Sequence, residues 1–317
     1  MKKIIGIVGL KNKYLARLKR KYNKFNFIDI NDNNLFSNKS LSINALVVLY
    51  EYPVKKKLSL FLKRGFKRFK YLEWLHLTRA GIDECIPFLK DYKFTFTSGK
   101  KIQAPNVSEH CVSLLLSLTR SLFDQNNAKN YKFRPTEISG QKILIVGLGG
   151  IGSEIAKKLY NFNCKVYSIN RSLKKNRYVE KNYSISKLKY IINKFDIIIN
   201  SLPLTKDTIG IFDRKVFNKM KNKCFFISIS RDKTINLKDF KFFLKKNKFA
   251  GVAIDTTGSF KISKRVVFQR KYNFLLTNHL GGETTDNLRR TKLIYENINA
   301  FASGKKLKYL VSKAKGY

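Results

Sequence analysis

A glycine-rich segment that directly follows a short apolar run constrains the fold of this chain more than any other feature. The run Lys142–Val146 is followed by Gly147, Gly149 and Gly152, which have the spacing G-x-G-x-x-G, and a helical pattern starts there. The first glycine permits a tight turn, the second lets the backbone approach a pyrophosphate, and the third lets helix and strand pack closely. The segment therefore predicts a dinucleotide-binding βαβ unit, with the phosphates at a helix N-terminus. The residues expected to bind the cofactor here are Gly147, Gly149, Gly150, Ile151 and Gly152.

Short apolar runs alternate with helical patterns along the whole chain. Alternation of this kind predicts an α/β protein with parallel sheets flanked by helices. One series of predicted strands precedes residue 100 and a second begins near residue 141. The predicted strands are residues 4–8, 25–28, 45–50, 74–77, 142–146, 164–168, 196–200, 225–229, 249–254 and 274–277.

Two long helices are predicted near the boundaries of the second series of strands. In the first, Asn106 follows Pro105 and precedes Glu109 by three residues, which is the spacing of a capping box with Asn106 as the N-cap. The second covers about residues 284–302, with Leu288 on its buried side. We place the boundary between two domains at these helices.

Composition narrows the function. The 317 residues carry a net charge of +44, but Lys and Arg are spread over nearly every segment and no nucleic-acid-binding motif accompanies them, so no specific nucleic-acid partner is predicted. No apolar run is long enough to cross a membrane. Four scattered cysteines without a C-x-x-C pair, and three histidines, indicate reduced thiols, a cytoplasmic location and no metal site.

The end of the second strand in the glycine-loop series indicates the type of dinucleotide. Dinucleotide folds read the ribose about 20 residues after the glycines, and a carboxylate there binds the 2′-hydroxyl. This chain instead has Asn170, Arg171 and Ser172. A guanidinium and polar side chains can donate hydrogen bonds to a 2′-phosphate, so NADP is preferred over NAD as the cofactor.

Seven segments in chain order resemble the D-isomer-specific 2-hydroxyacid dehydrogenases. They include the glycine loop, a "PLT…T.G" segment with Pro203 and Thr208, and a strand that ends at Arg231. The "A-x-D" strand and the "PH.GG.T" segment complete the second half of the chain. The segments are residues 78–83, 106–110, 147–152, 201–210, 227–231, 253–255 and 278–284.

The resemblance implies the fold and the organisation of the chain. The family has two Rossmann-like domains, with parallel sheets flanked by helices and the active site in the interdomain cleft. Residues 1–105 with 285–317 would form a discontinuous substrate domain, and residues 106–284 the dinucleotide-binding domain. A homodimer is the expected assembly. The implied reaction transfers a hydride between NAD(P)H and a small 2-oxo acid or D-2-hydroxy acid, as in glyoxylate and hydroxypyruvate reductases.

The resemblance and the chemistry of the side chains assign roles to individual residues. An arginine holds a carboxylate through two hydrogen bonds and polarises a ketone, which fits Arg231. A histidine titrates near neutral pH, so His279 is the expected acid–base group. By resemblance, Asp255 would orient the nicotinamide. The remaining residues expected at the site are Arg79, Ala80 and Gly81 for the substrate, and Pro203, Thr208 and Gly281 for the cofactor.

The chain also departs from the family pattern. Phe260 stands where the family has the glutamate that pairs with its histidine, and Asp232 stands in place of the glycine after the arginine. These departures leave open an alternative, a catalytically weakened dinucleotide-binding protein that acts as a sensor or binding module. His76 and His110 are expected to be packing residues without a catalytic role.

Overall fold

The structure is a computed structural model that describes residues 2–9, 12–31, 34, 37–49, 69–82, 92–123, 133–171, 173, 175–256, 258, 260, 266–285 and 288–312. The chain divides into two compact units. Unit 1 comprises Met1–Ile102 with Thr285–Tyr317, and unit 2 comprises Gln103–Thr284. Each unit contains one sheet with helices, so the predicted α/β class with parallel sheets is confirmed.

The strands and helices are numbered in chain order. The strands are β1 Ile4–Val8, β2 Asn26–Ile30, β3 Ala45–Val48, β4 Trp74–Leu77, β5 Thr95–Ser98, β6 Lys142–Val146, β7 Lys165–Ile169, β8 Lys181–Tyr183, β9 Ile197–Asn200, β10 Cys224–Ser228, β11 Phe249–Asp255, β12 Val266–Gln269 and β13 Phe274–Thr277. The helices are α1 Asn12–Lys21, α2 Asn38–Leu41, α3 Ala104–Thr119, α4 Gly150–Asn161, α5 Leu188–Ile191, α6 Arg214–Lys219, α7 Leu237–Lys245 and α8 Leu288–Ala302.

Unit 1 is built on a five-stranded sheet in the order β2-β1-β3-β4-β5. All of its strand pairs are parallel. Its two faces are covered by separate apolar clusters, because alternate residues of a strand point to opposite sides. In β1, Val8 belongs to one cluster, whereas Ile5 and Ile7 belong to the other. Ile298 of α8 is fully buried in the second cluster, so the last helix is part of the core of this unit.

Unit 2 contains an eight-stranded sheet in the order β12-β13-β11-β10-β9-β6-β7-β8. Every pair is parallel except β12 with β13. In β6, Leu144 and Val146 face one apolar cluster while Ile143 and Ile145 face the other. Burial on both faces explains why the central strands read as continuous apolar runs in the sequence.

Two of the expectations for the long helices are wrong. Helix α3 begins at Ala104 with Gln103 as its N-cap, no side-chain cap, and a proline in the first turn, so Asn106 is not the N-cap. Pro105 has no N–H and is tolerated at the start of a helix, which lets the helix begin before Asn106. Leu288, predicted to be buried, is 78% exposed because it is the first residue of α8.

Among the parts of the chain that the structure describes, no helix combines the length and the apolar character that crossing a membrane requires.

Candidate active site

The residues that carry the expected chemistry of unit 2 follow the carboxyl ends of parallel strands. Strand register places these ends beside one another: Val146 pairs with Asn200, Asn200 with Ser228, Ser228 with Ile254, and Asp255 with Thr277. Gly147, Arg231 and His279 lie within three residues of the ends of three of these strands. Ligands of open parallel sheets bind at this edge. The structure therefore brings the glycine turn, the arginine and the histidine to one edge of one sheet.

The glycine turn between β6 and α4 leaves no space for two of the side chains that it lacks. Gly147 has a φ of 106°, and a Cβ there would lie 2.9 Å from the Ser201 carbonyl. A Cβ on Gly152 would lie 2.0 Å from the Gly147 carbonyl oxygen. Ser201 strengthens the turn, since its hydroxyl donates to that same oxygen at 2.7 Å. These contacts give the first and third glycines the steric roles expected from the sequence.

The second glycine faces open space. Gly149 is the N-cap of α4, provides no side-chain cap, and would have no atom within 4 Å of an added Cβ. The first N–H groups of a helix need acceptors from outside the helix, and a phosphate supplies them. The cradle that the glycines leave therefore fits a pyrophosphate, which Gly149, Gly150 and Ile151 would bind through backbone N–H groups.

The end of β7 carries the residues expected to distinguish NADP from NAD. Asn170 accepts a hydrogen bond from the Arg171 backbone N–H at 2.9 Å, which shapes this turn. The Arg171 guanidinium donates to Asp207 at 3.1 Å, and both side chains are more than half exposed. The expected 2′-phosphate ligand is thus paired with a carboxylate. Ser172 lies outside the described residues.

The segment after β9 is a compact turn. The Thr208 hydroxyl donates to the Pro203 carbonyl at 2.7 Å and accepts the Thr205 N–H at 2.8 Å. Thr208 is 6% exposed, whereas Pro203 is exposed. The Thr208 hydroxyl therefore holds the turn together, and the Pro203 ring lies on the outside of the turn, exposed to solvent.

Arg231 follows β10 in an extended conformation and caps a short 3-10 helix. Its carbonyl accepts the Thr234 hydroxyl at 2.6 Å. The fully buried Asn200 amide donates to that hydroxyl at 2.9 Å and to the Ser228 hydroxyl at 3.2 Å. Asn200 therefore fixes the backbone on which Arg231 stands. Sequence reasoning missed this role, although a lone amide that ends the run Ile197–Asn200 was the signal for it.

His279 stands in a left-handed conformation, with a φ of 54°, directly before a short 3-10 helix, Leu280–Gly282. A residue other than glycine rarely adopts this conformation, and such residues concentrate at functional sites. The Asp255 carboxylate holds the turn through the backbone N–H groups of Leu280 at 2.8 Å and Gly281 at 3.0 Å. Asp255 is 4% exposed, so its observed partners belong to the protein itself.

The expected substrate-binding residues of unit 1 follow β4. Arg79, Ala80 and Gly81 are partly buried, and the Arg79 carbonyl accepts the Gly99 N–H at 3.0 Å. Gly99 is required here, since a Cβ on it would lie 2.0 Å from the Thr78 carbonyl oxygen. The loop after β4 is therefore fixed by the loop after β5.

Phe260, at the position of the family's glutamate, is part of the aromatic core. Its ring centroid lies 5.9 Å from that of Phe240 and 6.0 Å from that of Phe274. The residue therefore stabilises unit 2 by packing.

As for metals, the described residues contain no group of three or more His, Cys, Asp or Glu side chains that could hold an ion.

Comparisons with known proteins agree with this architecture. The chain resembles a solved D-isomer specific 2-hydroxyacid dehydrogenase family protein of Aeromonas salmonicida with a TM-score of 0.80 and 19% identity, over 99% of this chain and 100% of the other. It resembles the NADPH-dependent glyoxylate/hydroxypyruvate reductase of Sinorhizobium meliloti, solved with NADP and sulfate, with a TM-score of 0.78 and 22% identity over 100% of both chains. These similarities show the two-domain Rossmann-like fold.

Sequence comparison identifies the family. The chain is 29% identical to the putative 2-hydroxyacid dehydrogenase YoaD of Bacillus subtilis, over 50% of this chain and 48% of that protein. It is 28% identical to a glyoxylate reductase of Pyrococcus furiosus, over 56% of this chain and 53% of that protein. The chain thus spans about half the length of these curated relatives. The family model described as "D-isomer specific 2-hydroxyacid dehydrogenase, NAD binding domain" matches residues 112–281, more than half of the chain. The chain therefore belongs to the D-isomer specific 2-hydroxyacid dehydrogenases.

Proposed function

We propose that the protein is an NAD(P)-dependent oxidoreductase that reduces small 2-oxo acids to D-2-hydroxy acids. The observation that supports this proposal is that the glycine cradle, Arg231 and His279 all follow strand ends that are neighbours at one edge of one sheet. Relatives named glyoxylate reductase and glyoxylate/hydroxypyruvate reductase support glyoxylate and hydroxypyruvate as the first substrates to test.

Each residue of this edge has a role that follows from its chemistry. Arg231 would bind the substrate carboxylate and polarise the ketone, and His279 would deliver a proton to the oxygen that becomes the hydroxyl. Arg79, Ala80 and Gly81 would contribute to binding the carboxylate from unit 1. A bound nicotinamide supplies the hydride. By resemblance, Asp255 and Gly281 would lie beside that ring.

We infer NADP as the preferred cofactor and NAD as the weaker one. Arg171 supports this preference because a guanidinium is suited to binding a phosphate, and no carboxylate ends β7. Solved relatives with bound NADP or NADPH support it as well. Asn170, Ser172, Pro203 and Thr208 would complete the cofactor site.

The test is turnover by the purified protein. NADPH and NADH oxidation would be followed at saturating glyoxylate, hydroxypyruvate and larger 2-oxo acids. We expect Arg231→Ala and His279→Ala each to lower kcat/KM by about 10²-fold or more. Arg120→Ala, which removes an exposed arginine at the end of α3, is the matched control and should change little.

The same assay tests the alternative. Calorimetric binding of NADPH, without turnover above the Arg231→Ala background for any 2-oxo acid, would overturn the proposed reaction and leave a dinucleotide-binding protein. The replacement of the family's glutamate by Phe260 is the observation that favours this alternative.

The proposed organisation includes a substrate domain of residues 1–105 with 285–317, a dinucleotide-binding domain of residues 106–284, and a homodimer in the cytoplasm. Cys111, Cys164 and Cys224 are buried free thiols, which is consistent with a reducing compartment. Burial raises the pKa of the Cys164 thiol to about 11, so it stays protonated and unreactive at neutral pH. Light scattering of the purified protein would measure the oligomeric state, and a monomeric mass would contradict the homodimer.

A further inference from the structure

His110, on helix α3, lies near the turn that carries His279. His110 Nε2 lies 3.1 Å from the Thr277 hydroxyl and 3.6 Å from Asp255 Oδ1. The Thr277 hydroxyl donates its proton to Asp255 Oδ1 at 2.6 Å. A hydroxyl has one proton to donate, so in this arrangement His110 Nε2 is the donor to Thr277. The imidazole thus donates into a chain that ends on the Asp255 carboxylate.

The same turn lies close to this histidine. A Cβ on Gly281 would lie 3.2 Å from His110 Cδ2 and 3.0 Å from Asp255 Oδ2. Both separations are tight for a Cβ, so a glycine here lets the imidazole and the carboxylate lie close to the backbone of the turn. His110 therefore lies beside the turn and is hydrogen-bonded to Thr277, the last residue of the strand that leads into it.

Two further side chains of α3 and its N-cap hold the same turn. Asn106 donates to the Gly281 carbonyl at 2.9 Å, and Gln103 donates to the Gly282 carbonyl at 3.3 Å. Gln103, Asn106 and His110 are three and four residues apart, which places them on one side of the helix. One polar face thus binds the backbone that follows His279.

The charge of Asp255 supports this arrangement. Burial by itself would raise the pKa of the Asp255 carboxyl, but the nearby His110 imidazole and the hydrogen bonds from the Thr277 hydroxyl and the Gly281 N–H hold that pKa below its ordinary value of 3.8. A buried carboxylate is stable only with such partners. As an anion it accepts stronger hydrogen bonds from the Leu280 and Gly281 N–H groups.

We propose that His110 is a positioning residue: it holds the Asp255 carboxylate, and this carboxylate fixes the turn on which His279 stands. The consequence for catalysis rests on the proposed function, but the positioning itself does not. In the absence of the family's glutamate, this network orients His279 through its backbone.

The first test measures the turn directly in the cofactor-free protein. Amide hydrogen exchange at Leu280 and Gly281 should accelerate by about tenfold in His110→Leu, since a hydrogen bond to a charged group is weakened. His110→Gln should restore slow exchange, because its amide can donate as Nε2 does. Ser113→Ala, an exposed position one turn further along α3, is the matched control.

A second variant guards against misfolding of His110→Leu. Thr277→Val removes the bridging hydroxyl at nearly constant volume, and it should accelerate exchange at the same two amides while the Ile145 amide in β6 stays protected. Unchanged exchange at Leu280 and Gly281 in Thr277→Val, or equal acceleration in His110→Leu and His110→Gln, would overturn the proposal and return His110 to a packing role.

The second readout is kinetic. His110→Leu should lower kcat for a 2-oxo acid by about tenfold with little change in KM, because Arg231 stands on a different turn. The two proposals fail separately. Accelerated exchange in a protein that never turns over leaves the positioning intact and removes the reaction, whereas normal turnover with unaltered exchange removes the positioning alone.

Discussion

The two units begin with the same local architecture but differ in the residues that follow the first glycine. Strand β1 lies between β2 and β3, and β6 lies between β7 and β9. Each ends at a glycine with positive φ, 85° at Gly9 and 106° at Gly147, and a helix follows. Two and five residues after the first glycine, unit 1 has Lys11 and Tyr14 where unit 2 has Gly149 and Gly152.

That difference shows what the glycine spacing adds to a common topology. In unit 2 the helix approaches the turn so closely that a Cβ on Gly152 would lie 2.0 Å from the Gly147 carbonyl oxygen. A tyrosine cannot be accommodated in such a contact. Parallel strands joined by helices are therefore a shared scaffold, and unit 2 adds to it the second and third glycines, which unit 1 lacks. The family match at residues 112–281 lies within unit 2.

The largest expected difference between the two units is in how their stability depends on acidic pH. His76 in β4 is fully buried in unit 1, and burial lowers its pKa to about 3 from 6.5. The unfolded chain therefore binds a proton between these two pH values that the folded chain excludes. The contribution of His76 to the free energy of unfolding is fully present above pH 6.5. It is lost progressively as the pH drops toward 3, by up to about 5 kcal/mol.

Urea unfolding followed by the fluorescence of Trp74, the single tryptophan, measures this loss in unit 1. His76→Leu should remove that part of the pH dependence. Parallel stability curves for the two proteins between pH 6.5 and 4 would contradict the prediction.

A pair of glycine variants tests whether the cradle of unit 2 serves phosphate or only packing. Gly152→Ala places a Cβ against the Gly147 backbone, so we expect a loss of about 1–3 kcal/mol in stability together with cofactor binding. Gly149→Ala meets no atom within 4 Å, so it should fold normally and bind NADPH at least about tenfold more weakly.

Chemical denaturation and calorimetry measure the two quantities separately. Undiminished NADPH affinity in Gly149→Ala would show that the backbone there does not approach a phosphate.

The smallest expected effect concerns the 2′-phosphate. Asp207 competes for Arg171, and both groups are well exposed, so their pairing is worth less than about 1 kcal/mol. Asp207→Asn should raise the affinity for NADPH relative to NADH by up to about fivefold, because it releases Arg171. Arg171→Gln should move this ratio in the opposite direction. Titration of both cofactors by fluorescence measures the ratio, and an unchanged value in Asp207→Asn would mean that Asp207 does not regulate the site.

The sequence was most informative where one local pattern determines the structure. Apolar runs buried on both faces, such as Lys142–Val146 and Phe274–Thr277, gave their strands, and the glycine spacing predicted the turn. Strand β5 was missed because its residues Thr95–Ser98 are mostly polar. Its Thr97 is buried by distant partners, since the Trp74 indole donates to the Thr97 hydroxyl at 2.8 Å.

The same limit applies to the site. Positions such as Arg231 could be named because each follows a predicted strand, and their roles stay predictions. The contact of His110 with Asp255 joins residues 145 positions apart, and no local pattern reports it. The contact of Asn106 with the Gly281 carbonyl likewise joins residues 175 positions apart.

The discontinuity of unit 1 imposes an order on biosynthesis. Unit 2 is one continuous stretch and can fold as soon as it leaves the ribosome. Unit 1 has to wait, because α8 supplies Ile298 to the cluster that contains Ile5 and Trp74, and Leu310 bridges to Thr97 in β5. Leu18 and Tyr22 can cover part of the apolar face of the earliest strands at once, but the part that meets α8 stays exposed while the whole of unit 2 is translated.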